Sequence, residues 1–185
     1  MKLSFNNPGF FLSISASIFF LSIDLSPAGA LEQEVFFGTY IETLHNENTR
    51  GATLAYRLWL TRQKEDERGF SLLYPRPITL GLEFRGGRVL VPETGWEGGI
   101  SLLFKYERDF CETMGGYLFL SGGGSYSGVN YPGIPTNFNF LSRGGVGFRL
   151  ENLILQGAYE HRSNGGLRKP NQGLDLIQVS LGFRF

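Results

Sequence analysis

The sequence predicts an all-β protein, an eight-stranded antiparallel transmembrane β-barrel. Three observations lead there. Apolar residues recur with period two rather than 3.6, in runs close to the roughly ten residues that a tilted strand needs to cross hydrocarbon. The polar positions of those runs carry charges of both signs beside glycines. The composition joins 26 glycines and 17 phenylalanines to only 18% charged residues, a mixture that suits many short strands better than helices.

Residues 1–30 are expected to be a secretory signal and residues 31–185 the barrel. Lys2 supplies a positive start, Phe10 to Ile23 an apolar stretch, and Ala28-Gly29-Ala30 the small residues of a cleavage site before Leu31. The stretch is short of the length that spans a bilayer as a helix. Cys111 is the one cysteine, so no internal disulfide can form, and a thiol without function is the simplest account of it. An exported chain rich in apolar strands and free of disulfides points to a Gram-negative outer membrane. Net charge is zero, so there is no footprint for nucleic acid.

The runs follow in order. Residues 33–43 form a plausible strand without clean parity, because Phe36 and Phe37 are adjacent. In 52–60, Ala52, Leu54, Tyr56, Leu58 and Leu60 alternate with Thr53, Ala55, Arg57 and Trp59; in 78–84, Ile78, Leu80, Leu82 and Phe84 alternate with Thr79, Gly81 and Glu83. In 100–106, Ile100, Leu102, Phe104 and Tyr106 face away from Ser101, Leu103 and Lys105. The run 115–126 is apolar on both faces from Tyr117 to Leu120, and its Gly122-Gly123-Gly124 suggests close packing rather than a nucleotide loop. Phe138, Phe140, Val146, Phe148 and Leu150 share a face of 138–150. The runs 152–162 and 175–185 complete eight, the last carrying Ile177, Val179, Leu181, Phe183 and Phe185 on one face. The ending Phe183-Arg184-Phe185 is similar to the endings of outer-membrane barrels.

A soluble sandwich would alternate too. The polar face separates the two: Arg57, Glu83, Arg85, Lys105, Glu107, Arg143, Arg149, Glu160 and Arg184 suit a small lumen in which they pair with one another. An even strand count puts both chain ends in the periplasm. Segments 43–50, 86–97, 127–137 and 163–174 are then external loops, and 61–76, 109–114 and 150–152 periplasmic connections. The charge run 62–68 is a solvated turn, and His45 falls in an external loop without a nameable partner.

Parity also carries the chemistry. His161 and Ser163 share the lipid face of Leu153, Leu155 and Tyr159, and Asp175 shares that of Ile177 to Phe185. Three polar side chains thus converge toward lipid at the external end of adjacent strands, where charge is costly, though less so than at the midplane. A serine nucleophile, histidine base and orienting carboxylate would account for them, acting on a lipid of the outer leaflet. Asn164 and the amides of Gly165 and Gly166 could stabilise an oxyanion. Two plainer readings stay open: a polar rim where the barrel leaves the bilayer, and Asn164-Gly165 as an ordinary turn pair. Arg168 and Lys169 would lie at headgroup level, where they could attract phosphates or be ordinary loop charges. No Gly-x-Ser-x-Gly, His-Glu-x-x-His or Walker loop is present, and His45 is the only other histidine, so neither a cofactor nor a metal is expected.

His161-Arg-Ser163-Asn164 followed by Lys169-Pro170-Asn171-Gln172-Gly173-Leu174-Asp175 resembles the lipid A 3-O-deacylase family of outer-membrane barrels. The resemblance covers about the last quarter of the mature chain. It implies an eight-stranded barrel with its triad on the membrane-facing surface, and lipopolysaccharide as the substrate partner. His161 is then the base, Ser163 the nucleophile, Asp175 the third member and Asn164 an oxyanion contributor. The implied reaction is metal-free hydrolysis of the ester at the 3-position of lipid A. The family's described member has glutamate at the acid position, where this chain has the shorter aspartate. The competing function is a non-catalytic barrel for structure, adhesion or solute passage, although a lumen filled by side chains opposes a wide pore. Pairing of two copies into a homodimer is compatible with either.

Overall fold

The computed structural model describes residues 32–43, 48–60, 78–91, 93–131 and 133–185. The expected signal segment 1–30, His45 and the charge run 62–68 lie outside the described residues. Eight strands close into one barrel in chain order: β1 (Gln33–Glu42), β2 (Arg50–Trp59), β3 (Thr79–Val91), β4 (Gly95–Asp109), β5 (Met114–Ser127), β6 (Phe138–Leu150), β7 (Leu153–Ser163) and β8 (Leu174–Arg184). Every neighbouring pair is antiparallel, and β1 pairs with β8 to leave no open edge. Closure satisfies the backbone without water, which a strand in hydrocarbon requires.

Alternation decides what faces where. Phe37, Ile100, Phe104, Leu118, Leu120, Val146, Leu155, Ile177, Val179 and Leu181 are exposed on the outer surface. In water such a surface would aggregate, whereas in a bilayer it is the solvated face. Trp96 and Tyr126 stack on the outside near one end, with ring centroids 5.5 Å apart, as aromatic side chains do at a membrane interface.

The lumen holds the charges, buried and paired. Glu83 sits between Arg57 Nε at 2.7 Å and Arg143 Nη2 at 2.6 Å. Toward one end Lys105, Arg149 and Arg184 converge on Glu107. Toward the other, Arg162 binds Glu160 and Glu97, each at 2.6 Å, and Arg85 binds Glu160. An isolated buried charge would be costly, so each cation here has its carboxylate.

The two runs without clean parity are resolved by aromatic side chains inside the lumen. Phe36, Tyr40, Tyr117 and Phe119 point inward and are buried. Directly across from Tyr117 stands Gly147, and from Tyr40 Gly51. A methyl group on either glycine would meet the facing tyrosine side chain at 2.1 or 2.2 Å, so the glycine makes the space that the tyrosine fills.

One expectation is corrected. Residues 86–97 are not an external loop: β3 continues to Val91 and β4 begins at Gly95. Gly86-Gly87 and Gly98-Gly99 leave no side chains to alternate, but the backbone ladder runs through them, with Gly86 opposite Gly98. These strands extend beyond the length needed to cross hydrocarbon. The other strands end close to where they are expected to, at Glu42, Trp59, Asp109, Ser127, Leu150 and Ser163.

Candidate active site

The end of β7 and the start of β8 meet at the rim where β1 and β5 end and β2 and β6 begin. β1 begins and β8 ends at the opposite rim, the periplasmic one in an outer-membrane barrel of even strand count, so this rim is the external one. Along β7 the side chains alternate at the last turn of the ladder: Glu160 and Arg162 inward, His161 and Ser163 outward. Arg162 fastens this stretch to the interior. Its guanidinium is buried, donates to Glu97 and Glu160, and also reaches Tyr131 Oη at 2.8 Å in the 128–137 segment. Beneath the site Leu174 and Leu176 of β8 turn inward and pack with Tyr40, Val89, Val129, Tyr131 and Ile134. The wall bearing His161 and Ser163 is therefore backed by a filled lumen.

On the outer face, register places Asp175 directly opposite His161. Directly opposed residues have Cβ atoms about 4.5–5.5 Å apart, so even the shorter acid reaches across. The imidazole Nδ1–H donates to Asp175 Oδ1 at 2.9 Å. Nε2 then carries the lone pair. The Asp175 side chain is 9% exposed and that of His161 42%, so the acid is enclosed while the base is open. Tyr159, two residues deeper on β7, donates its hydroxyl to the same Oδ1. Ser163 ends β7 on the face of His161, opposite Phe140. No hydrogen bond joins its hydroxyl to the imidazole. The structure thus brings His161 and Asp175 into contact and sets Ser163 beside them without engaging it.

The three expected oxyanion donors fall in the 164–173 loop. Asn164 is fully buried and braces that loop: its Nδ2 donates to the Arg168 carbonyl at 2.8 Å, and its Oδ1 accepts from the Gly166 amide at 2.9 Å. Its own amide donates to Asn171 Oδ1 at 3.1 Å. The amide of Gly165 makes no hydrogen bond among the described residues. Gly165 and Gly166 have φ of +63° and +81°, in the left-handed region where glycine is unstrained. Arg168 and Lys169 are exposed in the same loop.

Gly173 was not singled out by residue chemistry, yet it shapes the site. It has φ of +79°, and an added methyl group would lie 2.7 Å from His161 Cε1. The imidazole edge rests against its bare Cα. Tyr159 was likewise legible only as one more residue of the lipid face. Beside Tyr159 the outer surface is hollowed by about 410 Å³, with Phe104, Leu120, Gly122, Ser142 and Gly144 among the lining residues.

Comparison with known proteins adds an independent line. A family model described as lipid A 3-O-deacylase (PagL) matches residues 35–184. Curated proteins give no match to the chain. Among solved structures, the chain is similar to the outer membrane enzyme PagL, with a TM-score of 0.60 and 16% identity over 83% of this chain and 98% of that one. It is also similar to the N-terminal β-barrel domain of Pseudomonas aeruginosa OprF, with a TM-score of 0.55 and 10% identity over 85% of this chain and 100% of that one. For Neisserial surface protein A the TM-score is 0.51, with 13% identity over 86% and 98% of the two chains. At these identities the structural likenesses are likenesses of fold.

Proposed function

The chain belongs to the lipid A 3-O-deacylase family, and from that premise we propose that it is a serine esterase that cuts the 3-O-linked acyl chain from lipid A in the outer leaflet. As a family member it is a lipid A deacylase of the outer membrane. The finer assignment is supported above all by the His161 Nδ1–Asp175 Oδ1 bond, made on the lipid face beside Ser163. Inside the lumen such a pair would be one more structural contact. On the outer wall it meets the acyl chains and ester carbonyls of a neighbouring lipid.

In this scheme the Ser163 hydroxyl rotates toward His161 Nε2, gives up its proton and attacks the ester carbonyl. Catalytic hydrogen bonds commonly tighten only when substrate is bound. Asp175 stabilises the imidazolium that forms. The tetrahedral oxyanion takes a hydrogen bond from the Gly165 amide, the loop donor that makes none of its own, with Asn164 fixing the loop around it. Collapse breaks the bond to the sugar oxygen, which leaves with the imidazolium proton. Water, activated by the same imidazole, then hydrolyses the acyl-serine and releases the fatty acid. The hollow beside Tyr159 offers room for an acyl chain, and Arg168 and Lys169, exposed in the adjoining loop, supply cations for headgroup phosphates.

The test is mass spectrometry of lipid A from membranes that carry the protein. The native chain should remove one 3-hydroxyacyl group, and Ser163→Ala should leave lipid A intact while the barrel still folds. Lipid A left unchanged by the native chain, or still deacylated by Ser163→Ala, overturns the assignment.

A further inference from the structure

We propose that Tyr159 is a positioning residue of the esterase, holding Asp175 in line with His161 through its hydroxyl. The inference rests on the deacylase reading above. Tyr159 stands on the outer face, directly opposite Ile177 and diagonal to Asp175. On the membrane side of it the outward positions of β7 are Leu153, Leu155 and Gly157, and Ile177 stands across from it, so the position itself calls only for an apolar side chain. A hydroxyl placed in hydrocarbon is costly unless it is bonded. Tyrosines at a membrane interface usually aim their hydroxyls toward water and headgroups. This one aims at the acid instead.

The geometry gives the bond a purpose. Asp175 receives the imidazole Nδ1–H and the tyrosine O–H on a single oxygen, Oδ1. His161 reaches it from directly across on β7 and Tyr159 from the membrane side. Two donors converging on one oxygen fix the carboxylate rotamer, and hydrogen bonds to a charged acceptor are stronger than neutral ones. The ring also screens the acid from lipid, in keeping with its low exposure. Tyr159 need not touch the reacting atoms. It acts through Asp175, and therefore matters only while the acid is present.

That dependence is the test. Initial rates on lipid A in mixed detergent micelles are measured for the native chain, Tyr159→Phe, Asp175→Asn and the double variant. Folding of each is checked by the heat-dependent gel mobility of the barrel. Tyr159→Phe should lower kcat about tenfold with KM unchanged, the size expected from one charge-assisted hydrogen bond. In the Asp175→Asn background the same change should cost nothing further. An unchanged kcat, an equal loss in both backgrounds, or a raised KM with kcat kept each overturns the inference. A native chain that yields no product would instead remove the deacylase reading on which it rests.

Discussion

Consecutive residues of β7 face two different solvents, and their polar contacts differ accordingly. Inward, Glu160 lies between Arg85 and Arg162, and Arg162 is shared between Glu160 and Glu97. Outward, His161 and Asp175 form one pair, Tyr159 joins it, and Ser163 next to them is engaged by neither. The charges of the lumen cluster are spent on one another. The lipid-face cluster stops one bond short, at the Ser163 hydroxyl and the open imidazole edge that the proposed mechanism joins. In a barrel this small the interior charges lock the wall, and a few exterior ones are left to react.

The largest test of that contrast removes the charge from the exterior acid. Asp175→Asn should lower kcat about 10³-fold, roughly 4 kcal/mol of barrier, because the imidazolium loses its counter-charge and the amide can hold the wrong tautomer. Stability should change little, since the position is on the outer face at the rim. The same isosteric change inside should do the reverse. Glu83→Gln leaves Arg57 and Arg143 without their shared carboxylate, and breaking a buried pair this way costs about 3–5 kcal/mol. Urea unfolding in lipid vesicles measures the loss, while the fraction that remains folded should deacylate lipid A at the native rate. A Glu83→Gln barrel as stable as the native one, or an Asp175→Asn barrel as active, would erase the distinction.

How far the sequence reveals the two clusters depends on which contacts are local. Period two is a local property, so the strands of β2, β3, β4, β6, β7 and β8 and their lumen charges can be read directly. It fails for β1 and β5 because Phe36 and Tyr117 pack inside over glycines on the neighbouring strand, and nothing in a single run reveals its cross-strand partner. It fails again at 86–97, where Gly86, Gly87, Gly98 and Gly99 leave the alternation blank although the strand continues. The outward parity of His161, Ser163 and Asp175 is legible for the same local reason. The register that sets Asp175 opposite His161 is not, since a one-residue slip would have turned either residue inward. The loop contacts of Asn164 depend on a fold-back that no periodicity encodes. Tyr159 hides in plain view, because its ring fits the apolar pattern and only its hydroxyl departs from it.

The smallest expected effect concerns the edge of the site, where backbone rather than side chain meets the imidazole. Gly173 has φ of +79°, and a methyl group added there would stand 2.7 Å from His161 Cε1 and 3.4 Å from Nε2. Gly133, in the neighbouring external segment, has a similar φ of +75°, but its methyl group would meet the Gln172 side chain. Alanine at either position bears the left-handed strain, about 1 kcal/mol of stability. Only Gly173→Ala must also push the imidazole, which the Asp175 bond holds from the other side. Its kcat should fall about tenfold, roughly 1.4 kcal/mol of barrier, whereas Gly133→Ala should keep the native rate at the same loss of stability. Equal rates for the two variants would mean that the bare Cα of Gly173 serves the turn alone and that the imidazole has room to shift. A lower rate for Gly173→Ala alone would mean that the outer cluster tolerates no displacement, the property expected of groups that must meet a reacting carbonyl rather than merely line a wall.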